Sequence, residues 1–288
     1  MRTAAVLLLF LCGLILTAGD RFWEKAETVQ RGTLLRRIER TDPRLMKICM
    51  MRIDLTQPGL TFTATPRDVD WGKPMPDYPA LTIATDRVKT RDFMLAERAA
   101  GKNMIVAANS APWEPWVRPF NHRYGNPLGI MILDGELITD RKPTGAEFVV
   151  WKNGKIDITD TIAPEDYSKV KVAAGGFALI MLKGEILPGG RYEKPLMPRI
   201  AYGLSRDRKY MYIITVDGRQ PEWSLGATGR ELAEMLKEAG AYDAINMDGG
   251  GSATLCYWDR QKKEPVTVTH HPKNVERNVG ANLGIYLK

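Results

Sequence analysis

The chain has 288 residues, 44% of them hydrophobic and 26% charged, an ordinary composition for a globular protein able to bury one sizeable core or two small ones. Its three cysteines, one of them in the N-terminal apolar stretch, exclude a disulfide framework; Cys49 and Cys256 read as small buried hydrophobes that could at most pair once. The net charge of +7 is spread along the chain, which permits attraction to phosphate-bearing polymers, and no nucleic-acid motif accompanies it, so no nucleic-acid partner is expected.

Arg2, an apolar run from Ala4 to Leu16 and the small residues Thr17, Ala18 and Gly19 have the layout of a secretory signal peptide over residues 1–19. The run is shorter than the ~20 residues a bilayer-spanning helix needs. The expectation is cleavage near Gly19, a secreted or periplasmic protein, and no stable membrane span afterwards. Residues 20–102 read as an N-terminal segment packed on the same core as residues 103–288. Its start, Asp20 to Arg44, reads as a helix or an extended lead-in. "KICMMRIDL" and "LTFTATP" alternate in polarity on either side of Gln57, Pro58 and Gly59 and suggest a pair of strands. A helix is expected from Asp86 or Arg87 to Ala100, closing at Gly101 and leading into the strand "NMIVAAN".

Hairpins then follow at Asp134-Gly135, Asn153-Gly154 and Lys183-Gly184, since such pairs tolerate the positive φ of tight turns. "IAYGLSRDRKYMYIITV" reads as a further hairpin. "TGRELAEMLKEAG" carries a capping box in Thr228 and Glu231, one apolar face in Leu232, Met235, Leu236 and Ala239, and Gly240 as a stop. The fold class is therefore α+β: hairpin-rich mixed sheets and a few packed helices, with one strand-helix-strand unit built from "YIITVDGR", this helix and "YDAINMDGGG".

Both strands of that unit end in Asp-Gly. If they are neighbours across the helix they run parallel, and Asp217 and Asp248 emerge at the same sheet edge. Asp217-Gly218 fits a simple turn as well as a site. Asp248 is followed by three glycines where a turn needs one, and such a loop presents backbone N–H groups to an anion or admits a bulky substrate to the main chain, with Ser252 and Thr254 adding hydroxyls. The loop is neither a nucleotide P-loop nor a nucleophile elbow. His270-His271 reads as a solvated loop rather than part of a zinc cluster. Arg219 and Arg277 stand beside these motifs and suit an anionic substrate.

"VDGRQPEWSLGATGRELAEMLKEAGAYDAINMDGGGSATL", followed by "ERNVGANLGIYL", resembles the core of the phosphodiester glycosidase family over roughly Asn103 to Lys288, including "MPRIAYGLSRD" with Arg199. The resemblance implies an exported hydrolase that cleaves the glycosidic bond of a sugar-1-phosphodiester, of the N-acetylglucosamine type, in an envelope or extracellular glycan or a small diester. It implies Asp248 and Asp217 as the catalytic carboxylates. Arg219, Asn246, Gly249, Gly250, Gly251, Ser252, Thr254, Arg277, Asn109 and Arg199 follow as substrate-binding residues, with Ser224 and Glu231 in support. No cofactor is demanded, and a divalent cation is compatible. This chain departs from the family pattern at Ala253 and at Ser110-Ala111-Pro112-Trp113 after Asn109, where Trp113 and Trp116 either stack on a sugar or pack in a proline-rich loop. Two alternatives stand beside the hydrolase: a non-catalytic envelope-glycan binding protein, and a metal-assisted phosphodiesterase using Asp217, Asp248 and Asn246 as oxygen ligands.

Overall fold

The computed structural model describes residues 18–142, 144–188 and 193–288; residues 1–17, nearly all of the expected signal peptide, lie outside them. The fold is α+β, with few helices and five antiparallel sheets, of which the two small ones have three and two strands. The largest sheet has eight strands in the order Glu27–Gln30, Thr33–Arg40, Met46–Asp54, Tyr210–Val216, Arg199–Leu204, Asp243–Asn246, Ala178–Leu182, Glu185–Ile186. A five-stranded sheet holds Glu264–Thr267, Leu255–Asp259, Asn103–Asn109, Asn282–Leu287 and Leu60–Ala64, and a second is built from the hairpins between Met131 and Gly175. The inner faces of all three meet in one apolar core that includes Met51, Ile53, Phe62, Val106, Phe148, Val172 and Leu283.

Helix α1 (Ala18–Trp23) and helix α3 (Gly229–Glu238) cover the other face of the large sheet. Phe22 and Trp23 are buried there, and the Trp23 indole N–H donates to the Ala239 carbonyl at 2.9 Å, which ties the N-terminal segment to the end of α3. α3 has the expected capping box, with Thr228 and Glu231 bonding each other's backbone N–H, and Leu232, Ala233, Met235 and Leu236 face inward. α2 (Thr90–Ala99) packs Phe93 and Met94 on the outside of the five-stranded sheet, against Met104 and Cys256. It begins at Thr90, later than expected, because Asp86 and Arg87 pair with residues 123–124 of a neighbouring strand. Glu276 stands in for a local cap, accepting the Arg91 N–H at 3.2 Å.

The three Gly-bearing hairpin turns form as expected. Other pairings differ. Residues 20–44 form α1 and a hairpin of Glu27–Gln30 with Thr33–Arg40 rather than a single lead-in. Met46–Asp54 and Leu60–Ala64 do not pair with each other: the first lies between Thr33–Arg40 and Tyr210–Val216, the second pairs with Asn282–Leu287. In the strand-helix-strand unit, Tyr210–Val216 and Asp243–Asn246 do run parallel, but Arg199–Leu204 lies between them and is antiparallel to both. Cys49 and Cys256 are unbonded, and burial pushes the Cys49 thiol up to about 12. Among the described residues no helix is long and apolar enough to cross a membrane.

Candidate active site

Asp248 leaves the edge of the large sheet into the seam with the five-stranded sheet, and Asn109 holds it there. The Asn109 side-chain amide donates to the Asp248 carbonyl at 2.7 Å, its oxygen accepts the Thr254 N–H at 2.9 Å, and its own carbonyl accepts the Tyr202 hydroxyl at 2.6 Å. The Asp248 N–H donates to the Ser110 carbonyl at 3.0 Å. Asn109 is thus fully buried and occupied with backbone. Asn246 is also fully buried; by strand alternation it shares the α3 side with Ala244, and its amide has no partner among the described residues.

The three glycines have separate reasons. At Gly249 a Cβ would stand 2.7 Å from the Pro198 carbonyl oxygen, and at Gly251 one would stand 2.6 Å from an Arg277 guanidinium nitrogen. Gly250 sits at φ +63°, and its N–H donates to the Pro198 carbonyl at 2.8 Å. Crowding by protein on both sides therefore sets the loop.

Asp248, Gly249 and Gly250 line a cavity of about 360 Å3 together with Trp113, Trp116, Glu114, Arg199 and Arg219. Burial pushes the Asp248 carboxyl up to about 7, and Ser252, Arg277 and Trp113 act in the opposite sense without cancelling it. Arg199 is 2% exposed and is anchored through the Ala227 and Pro195 carbonyls at 3.1 and 2.7 Å. Arg219, at φ +58°, reaches over Gly250. Arg277 donates to the Ser252 hydroxyl at 3.4 Å and lies over Phe120, 4.5 Å from the ring centroid; with Gly251 it borders an adjoining hollow instead of the cavity itself. Glu114 is paired with Arg141 and Lys142.

Asp217 does not line this cavity. One carboxylate oxygen accepts the Trp223 indole N–H at 2.8 Å and the other accepts the His270 backbone N–H at 3.0 Å; burial raises its pKa. The Ser224 hydroxyl donates to the Asp217 carbonyl at 2.5 Å, and Glu231 caps α3 and pairs with Arg44. Thr254 is buried, with its hydroxyl 2.9 Å from His271 Nε2. His271 therefore departs from the expected solvated loop: it is a buried support of the loop, and burial pushes its pKa down to about 4. Of Asp217, Asp248 and Asn246, only Asp248 lines the cavity: the Asp217 oxygens accept from Trp223 and His270, and Asn246 shares the Ala244 side of its strand. Among the described residues no group of three or more His, Cys, Asp or Glu stands where a metal ion could be held.

The structure brings Asp248, Gly249, Gly250, Arg199 and Arg219 together at the cavity, places Gly251, Ser252 and Arg277 just behind it, and leaves Asp217, Asn109, Asn246 and Thr254 as buried neighbours. It adds Glu114, Phe177 and Met197 to the wall. Met197 opens the segment MPRIAYGLSRD and Phe177 follows Gly175-Gly176, both within the stretch that resembles the family, whereas Glu114 comes from a proline-rich segment without a motif.

A family model described as phosphodiester glycosidase matches residues 105–286. No curated protein matches. Among solved structures, a hypothetical protein from Synechocystis superposes with a TM-score of 0.61 at 12% identity, covering 92% of this chain and 64% of its own, so this chain spans less than two thirds of that protein's length. The zebrafish N-acetylglucosamine-1-phosphodiester alpha-N-acetylglucosaminidase catalytic domain, auto-inhibited by its pro-peptide, superposes with a TM-score of 0.60 at 17% identity, covering 89% of this chain and 82% of its own. At such identities these two likenesses are of fold, whereas the family match runs through most of the chain and both Asp-Gly loops. The chain belongs to the phosphodiester glycosidase family.

Proposed function

We propose that this chain is an exported hydrolase that cleaves the glycosidic bond of a sugar-1-phosphodiester, with N-acetylglucosamine as the reference sugar, in an envelope or extracellular glycan. The observation that carries the reading is the cavity in which buried Asp248 faces arginines and a glycine loop. An anomeric phosphate is a good leaving group, so the reaction needs little proton donation and much charge stabilisation. Arg199, Arg219 and the amide of Gly249 would hold the phosphate. Asp248, in its carboxylate form, would activate water or stabilise the oxocarbenium-like transition state. Ser252 and Arg277 keep that carboxylate in place. Asp217 would act at one remove, fixing Trp223 and the His270 segment.

Product analysis tests this. The purified protein should release free sugar and a phosphomonoester from N-acetylglucosamine-1-phosphodiesters, and Asp248→Asn should not. Sugar phosphate as the product would instead favour attack at phosphorus, and saturable binding without turnover would favour a glycan-binding protein. Export is tested separately: the protein recovered outside the cytoplasm should begin at Asp20, and an intact Met1 there would refute signal cleavage.

A further inference from the structure

The hollow that adjoins the cavity has a volume of about 410 Å3, and its wall includes Lys89, Phe120, Gly251, Glu276, Arg277 and Asn278. One loop joins the two spaces: Gly250 borders the cavity and Gly251 the hollow. A guanidinium rests on each glycine. A Cβ at Gly250 would stand 3.5 Å from an Arg219 nitrogen, and one at Gly251 would stand 2.6 Å from an Arg277 nitrogen, over Cα atoms about 3.8 Å apart. The aromatic wall is continuous too, because Trp116 lines the cavity, Phe120 lines the hollow, and the two rings meet at 4.8 Å between centroids. Arg277 lies against both, 5.1 Å from the Trp116 centroid and 4.5 Å from that of Phe120.

The charge of Arg277 is not spent inside the protein. Of the five N–H donors a guanidinium carries, one reaches the Ser252 hydroxyl at 3.4 Å. Among the described residues none of Arg277, Arg219 and Lys89 is ion-paired to a carboxylate, and Glu276, the acid of the wall, already pairs with Arg91 at 3.3 Å and accepts its backbone N–H. Burial lowers the Arg277 pKa, Asp248 works against that, and Arg118 and Arg219 lower it further; an anion in the hollow relieves this repulsion. The cavity has its own cations in Arg199 and Arg219, enough for a single phosphodiester, which is a monoanion. Arg277 and Lys89 are in surplus of it.

We propose that the hollow is a leaving-group subsite that takes a second phosphate of the same substrate, held by Arg277 and Lys89. The subsite rests on the glycosidase reading, which sets the scissile phosphate against Arg219; the leaving group then runs over Gly250 and Gly251. The second phosphate belongs either to the next unit of a glycan chain linked by phosphodiesters or to the diphosphate of a nucleotide sugar.

The test compares an N-acetylglucosamine-1-phosphodiester that has a neutral aglycone with a two-unit chain bearing a second phosphodiester and with a nucleoside diphosphate N-acetylglucosamine. For the native protein, kcat/KM on at least one of the latter two should exceed that on the first roughly tenfold, chiefly through KM, and high salt should remove most of the margin. Lys89→Met should lower that ratio severalfold. Because the ratio compares substrates on one protein, a variant that folds poorly still reports it. An advantage for the chain identifies a glycan source and one for the diphosphate alone a nucleotide source, and either upholds the subsite. A native ratio within twofold of unity on both compounds overturns it, as does an advantage that Lys89→Met leaves intact. If none of the three compounds yields free sugar, the glycosidase reading fails, and the ratio of their Kd values, measured by calorimetry on both proteins, decides the subsite by the same criteria.

Discussion

The loops after Tyr210–Val216 and Asp243–Asn246 begin alike, with Asp217-Gly218 and Asp248-Gly249, and both glycines press on Pro198: a Cβ at Gly218 would stand 2.7 Å from its nitrogen, and one at Gly249 2.7 Å from its oxygen. They part at the carboxylate. Asp217 has a donor on each oxygen, from Trp223 and His270, and stands away from the cavity, whereas Asp248 is among the residues that line it. A carboxylate at the end of a parallel strand is thus a bolt or a tool according to what surrounds it. Its place in the sheet does not distinguish the two.

The comparison breaks or holds first on activity. Asp248→Asn should lower kcat/KM about 1000-fold, the scale of a lost acid–base group, while Asp217→Asn should cost less than about tenfold. Equal losses in two folded variants would put both carboxylates in the reaction. Stability should run the other way. Asp217→Ala removes the acceptor from two part-buried N–H groups and should lower the urea unfolding free energy by about 1–2 kcal/mol. For Asp248 the sign is opposite: its folded pKa, about 7, lies above the ordinary carboxyl value of 3.8, so ionisation weakens the fold progressively as pH rises from one to the other. Asp248→Asn should therefore raise Tm, by roughly 2–4 °C or more at pH 8, and leave it unchanged near pH 3.

Smaller effects sharpen the contrast between the glycines. Gly251→Ala would displace the Arg277 guanidinium, a flexible side chain, and should raise KM about tenfold with little change in unfolding free energy. Gly218→Ala meets backbone and should act on stability instead. The smallest effect is in the pH profile: kcat/KM should rise with pH through a midpoint near 7 as Asp248 ionises, and Arg277→Met should move that midpoint up by about one unit, because Arg277 favours the charged form. A midpoint that stays put would remove Arg277 from the electrostatics of the site.

What could be read from sequence was local. Thr228 and Glu231 bracket α3 because a capping box acts over three residues, and the Asp134-Gly135 and Asn153-Gly154 turns form because their chemistry lies within the turn. Strand partners were not legible where a turn signal misleads: Gln57-Pro58-Gly59 carries the chain from one sheet to another, not back along the same one. The site divides in the same way. Asp248, its glycines and Arg219 sit in a motif, but the Trp113 and Glu114 wall comes from a proline-rich loop with no periodicity to detect. The different fate of Asp217 depends on His270, far along the chain, and no spacing around Asp217 could announce it.

The strand Asn282–Leu287 lies inside its sheet, between Asn103–Asn109 and Leu60–Ala64, and joins the two. During synthesis these partners emerge early and have nothing to close the gap between them until residues 282–287 leave the ribosome. Leu60–Ala64 waits with its pairing edge bare until that strand has been made, and the sheet that carries Asn109 is completed only then. A nascent chain stalled before residue 282 should therefore remain sensitive to protease along Leu60–Ala64, and one in which residues 282–287 have cleared the ribosome should be protected there.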